Sequence, residues 1–209
     1  MLWQPPAPPY NYGARNRRVD RPMLQLVISS LTQPGLSIVT VLRNSIPNQM
    51  LIRAAAVLAC FTGIVDPLIA FAIIGPEALE QGSAPFVIAL IQIVAILLTA
   101  VAIFRIGAMF GGQGDFNGAL KVSVWYGLVS IIPSVLILIF QASGSGAAPV
   151  VQLFVLIWML FILSSFIKVL HGFQSLFMTA LGVIGASFVI GIAILMILAS
   201  LGILQPGTM

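Results

Sequence analysis

Five apolar runs dominate this chain, at roughly 51–74, 86–110, 120–140, 150–170 and 176–204. Each is about 20 residues or longer, the length an α-helix needs to cross roughly 30 Å of hydrocarbon at about 1.5 Å per residue. Lipid offers no partner to a bare peptide group, so uncharged runs of this length are confined to helices whose backbone bonds close internally. The runs therefore predict an all-α integral membrane protein. Its expected form is a five-transmembrane-helix bundle with short interfacial helices before the first span.

The charges give that bundle a direction. Arg15, Arg17, Arg18, Arg21, Arg43 and Arg53 precede or open the first run, Arg105 and Lys121 flank the second connection, and Lys168 closes the fourth run. The other two connections and the tail carry no base, and one of them holds Glu77 and Glu80. Bases concentrate in cytoplasmic loops, so the N-terminus is expected inside and the C-terminus outside. A chain 60% apolar and only 7% charged is not an ordinary soluble globule. Its net charge of +4 is spread over helix ends rather than gathered on a groove-sized face. That arrangement excludes nucleic acid as the expected partner and suits anionic lipid headgroups, each nearby base contributing about 1 kcal/mol.

Three segments follow. Residues 1–22 are rich in proline, with Trp3, Tyr10 and Tyr12, and read as a flexible cytoplasmic tail that could dock in an extended form. They lack the apolar core and small-residue site of a cleavable signal, so the first span is expected to act as an uncleaved insertion signal. Residues 23–48 divide into two short helices, 23–32 and 35–44, with Pro34 in a first turn and Pro47 as a stop. Residues 49–205 form the membrane domain. Cys60 is the only cysteine, so no intramolecular disulfide can form.

Asp66 and Pro67 stand out in the first span. Asp66 is about ten residues from the outer end, hence roughly 13 Å deep, where an ionised carboxylate costs about 2.5 kcal/mol or more. Three roles fit: a cap that breaks the span, with Pro67 opening a new helix; a protonated acid bonded to Gln92, Ser134 or Ser187; or a station on an ion or proton path. Pro133 is expected to kink the third span, and Trp125 and Tyr126 fit a belt at its inner interface.

The second connection reads Gly111-Gly112-Gln113-Gly114-Asp115-Phe116-Asn117-Gly118. A phosphate loop would also need a preceding strand and a Lys-Ser/Thr ending, and neither is present. A tight turn capped by Asp115 or Asn117 is the expectation. His171, the only histidine, is expected to be a capping or interfacial group rather than a proton carrier or metal ligand. Gly182, Gly185, Ala186, Ser187, Gly191 and Ala193 in the last span, and Ala55, Ala59 and Gly63 in the first, read as close-packing seams within or between protomers. There is no nucleophile–base pair, no metal-ligand cluster and no cofactor motif. No cofactor and no enzymatic activity are expected.

The order of these features resembles the Yip domain family, named for Ypt-interacting proteins. The resemblance runs over residues 30–204. It begins with the collar from Gln33-Pro34-Gly35 to Ile46-Pro47 and continues with Gly111, Gly112, Gly114, Asp115 and Phe116. It ends with Trp158, Lys168, His171, Gly172 and the small-residue last span. Eukaryotic relatives sit in Golgi and endoplasmic-reticulum membranes, contact small GTPases and shape or sort vesicles. The compact form here is similar to prokaryotic members, which implies a bacterial inner membrane. The family brings no catalytic set with it. The reading is a scaffold or accessory membrane protein that contacts lipids, other membrane proteins or its own copies. The alternative is a transporter of a small solute, ion or lipid using Asp66.

Overall fold

A computed structural model describes residues 23–74, 85–144 and 146–200. Seven helices are formed among them: α1 (Met23–Thr32), α2 (Pro34–Arg43), α3 (Asn48–Ile74), α4 (Pro85–Met109), α5 (Phe116–Ala142), α6 (Ala148–His171) and α7 (Leu176–Ser200). The tail 1–22, the connection with Glu77 and Glu80, and residues 201–205 lie outside the described residues.

Among the described residues, α3 to α6 supply four helices long and apolar enough to cross a membrane. Helix α7 runs for 25 residues, of which the stretch Leu176–Val189 has described side chains. The helices begin and end within a few residues of the apolar runs, because the punctuation is local. Pro34 opens α2, Asp115 caps α5, and Gly172 ends α6 in the left-handed region at φ 71°.

Pro67 lies inside α3 and Pro133 inside α5, and each helix is continuous through its proline. Of the three roles open to Asp66, the cap that breaks the span at Pro67 is therefore not formed. A proline removes one donor from the ladder, and an intact helix on both sides absorbs that loss. The Asp66 side chain is outside the described residues.

Helices α3 and α4 pack closely along small residues, with Ala55, Ala59 and Ala100 fully buried. Close approach of backbones through such residues is what drives helix association where hydrophobicity gives no preference. The main core lies between α2, α5 and α6 and is built on Ile38, Val122, Val129, Ile162 and Phe166. The seam expected on α7 behaves differently. A Cβ added at Gly182 or Gly185 would meet nothing within 4 Å. Helix α7 packs on α6 alone among the extensive helix pairs, so these glycines pack against no other described part of the chain.

The α1–α2 hairpin is fastened to the bundle by hydrogen bonds. Trp125 donates its indole N–H to the Ser30 hydroxyl at 2.9 Å, and Trp158 donates to the Leu31 carbonyl at 3.1 Å. Ser30 is fully buried and lies 2.9 Å from the Ser37 hydroxyl of α2. Trp125 is thus a buried staple, not the interfacial belt residue expected from its place near a helix end. At the other end of α2, Lys121 is buried and donates to the Leu42 carbonyl at 3.2 Å. That carbonyl belongs to the last turn of α2, where no intrahelical donor remains and a cation is favoured.

Candidate functional site

Three chain segments meet at the imidazole of His171. The first is the end of α4, which closes on a glycine turn. The Gly111 N–H donates to the Ala108 carbonyl at 3.0 Å and the Gly112 N–H to the Gly107 carbonyl at 2.9 Å, with Gly111 at φ 78°. This paired closure demands a residue tolerant of positive φ. The second is the start of α5, where Asp115 accepts from the Gly118 N–H at 2.9 Å and places a carboxylate at the positive end of the helix. The third is the end of α6, where the Lys168 carbonyl accepts from the N–H groups of Gly172 and Phe173.

His171 projects from α6 into the space between the other two. Its Nδ1 accepts from the Gly114 N–H at 3.2 Å, and its Nε2 lies 3.1 Å from the Ile103 carbonyl. A carbonyl only accepts, so Nε2 carries the proton and the ring is neutral in the Nε2–H form. The His171 carbonyl in turn accepts from the Gln113 N–H at 3.2 Å. The ring is 2% exposed and stacks on Phe173, with centroids 5.4 Å apart.

The glycines make room for it. A Cβ at Gly107 or at Gly112 would overlap the imidazole itself, and one at Gly114 would sit 2.8 Å from the Leu170 side chain and 2.9 Å from the ring. A Cβ at Gly118 would meet Leu170 as well. The loop that resembles a phosphate cradle in outline is instead a socket for a side chain of the same protein. Both ring nitrogens are committed to backbone groups, so the imidazole has no lone pair or proton free for an outside molecule.

Sequence reasoning singled out Gly111, Gly112, Gly114, Asp115, Lys168, His171 and Gly172, and the structure gathers them at one end of the bundle. Asp66 and Pro67 belong to α3, well along the chain from this cluster. Among the described residues no three His, Cys, Asp or Glu side chains gather into a metal-binding group. Two members of the latch were missed. Gly107 lies inside an apolar run, where its lack of a side chain looks like ordinary membrane composition. The Ile103 carbonyl is a backbone group, invisible to residue-type arguments. The glycines that do line the socket, Gly107, Gly112, Gly114 and Gly118, fall at steps of five, two and four, which match no helical repeat.

Residues 28–198 match the family model of the Yip1 domain. No curated protein and no solved structure matches the chain.

Proposed function

The chain belongs to the Yip1 domain family, and on that footing we propose that it is a non-enzymatic, multi-pass membrane scaffold or accessory protein. It works through lateral contacts with lipids, other membrane proteins or a second copy of itself. In this reading α7 completes a fifth span and α1–α2 lie in the inner interface, with Leu24, Ile28 and Leu36 turned to lipid. The basic helix ends face the cytoplasm of a bacterial cell, and the C-terminus lies outside.

The observation that carries the reading is the latch. The most elaborate polar constellation in the described structure joins α4, α5 and α6 to one another and offers no open chemistry. Stiffening one end of a bundle whose flanks are apolar suits a protein that presents shaped surfaces within the bilayer. The continuous helix through Pro67 removes one of the features on which the transport alternative rests. Mild solubilisation followed by chemical crosslinking tests the proposal. A stable homo- or hetero-assembly is expected, and a clean monomer without partners would count against it.

A further inference from the structure

Helices α4 and α7 stand apart, both leaning on α6, and the gap between them is a groove of about 660 Å³. Its walls are single helix faces. Thr99, Ile103, Ile106 and Phe110 line the α4 side, and Met178, Gly182 and Ala186 line the α7 side. The floor comes from Tyr126, Leu163 and Ile167, and Phe173, Gln174 and Ser175 form one end.

Length identifies what fits. Residues 99–110 on α4 and 176–187 on α7 each cover about 16 Å, against a hydrocarbon core of roughly 30 Å. Among the described residues the groove is therefore about one leaflet deep, and it closes at the basic end of the bundle. A partner's transmembrane helix would need a channel about twice as long. Volume agrees, since sites of about 300–1,000 Å³ hold single elongated small molecules.

Polarity is distributed as a lipid would require. The Thr99, Thr179 and Ser187 hydroxyls donate to carbonyls of their own helices at 2.8 Å, so they add little polarity to the walls. Gln174 and Ser175 put polar groups at the end nearest the bases. The Tyr126 hydroxyl has no hydrogen-bond partner among the described residues, and the residue is half-buried in the groove floor.

We propose that this groove holds one acyl chain of a phospholipid from the leaflet at the basic end, with the headgroup beside Gln174 and Ser175. The proposal rests on the membrane reading above and adds a defined ligand and place to it. Gly182 supplies the test, because open space lies where its Cβ would be. Gly182→Phe projects a ring into the groove from a position whose Cβ meets no neighbour, and so obstructs it. Gly185→Phe, equally unobstructed but off the groove, is the control.

The full chain would be reconstituted in vesicles containing phosphatidylcholine with a photoactivatable diazirine on one acyl chain, and labelled peptides mapped by mass spectrometry. Labelling is expected to be strongest on groove residues, to lose that excess in Gly182→Phe, and to keep it in Gly185→Phe. Groove labelling equal to that of outward residues such as Phe188 and Val189, or unchanged by Gly182→Phe, would overturn the proposal while leaving the membrane reading intact. No labelling on any face would overturn both. Loss of a crosslinked dimer in Gly182→Phe with lipid labelling unaltered would place a second protein on the groove and also refute it.

Discussion

A buried imidazole with two backbone partners behaves differently from a titrating one. His171→Ala removes both ring hydrogen bonds and opens a cavity among Gly107, Gly112 and Gly114, a loss of about 2–4 kcal/mol by the usual measure of large-to-small changes. Thermal unfolding in detergent, with helix signal as the readout, checks that figure. The glycines can be separated from one another in the same assay. Gly112→Ala drives a methyl into the ring and is expected to cost about 1–3 kcal/mol through overpacking. Gly111→Ala meets no neighbour and bears only the left-handed backbone penalty of about 1–2 kcal/mol. If Gly111→Ala proved the more harmful, the socket would matter less than the turn. The residues of this latch were visible in the sequence as unusual, but not as a unit. His171 is separated from Gly114 by 57 positions. No periodicity links two loops that meet only once the helices between them have folded back.

At the scale of elements, the helices were legible and their attachments were not. Apolar run length and proline or glycine punctuation set each boundary from nearby residues, and those rules carry over directly. The role of Trp125 does not. An aromatic near a helix end suits either a lipid interface or a buried staple, and the choice depends on whether a hydroxyl such as Ser30 arrives from elsewhere. Pro67 left a break as one alternative for a related reason: proline weakens a helix locally, but a long apolar segment in lipid has no other way to satisfy its backbone. The staple makes a quantitative prediction. Ser30→Ala and Trp125→Phe each remove the same buried hydrogen bond, at about 0.5–1.5 kcal/mol apiece. Combined, they should cost less than the sum, with a coupling of about 0.5 kcal/mol or more, as contacting residues do. Strict additivity in unfolding measurements would mean that the Trp125–Ser30 bond contributes nothing to holding the α1–α2 hairpin.

For the whole molecule, the chain's path through the bilayer follows from how its parts are joined. The latch holds the α4–α5 and α6–α7 connections side by side, so both must lie on one face of the membrane. Arg105, Lys121 and Lys168 flank those same connections, and bases of this kind stay on the side from which a chain is inserted. In the proposed topology the α5–α6 connection, at the opposite ends of its helices, belongs to the far face. Single cysteines report this directly once Cys60 is replaced by Ala. In intact cells treated with a membrane-impermeant maleimide, Gly146→Cys is expected to label without disruption, and Gln113→Cys only after the membrane is opened. Thr208→Cys should label like Gly146→Cys if α7 completes a fifth crossing. Labelling of Thr208→Cys from the same side as Gln113→Cys would mean that α7 turns back. The groove between α4 and α7 would then lose its outer wall as well as its place in the leaflet.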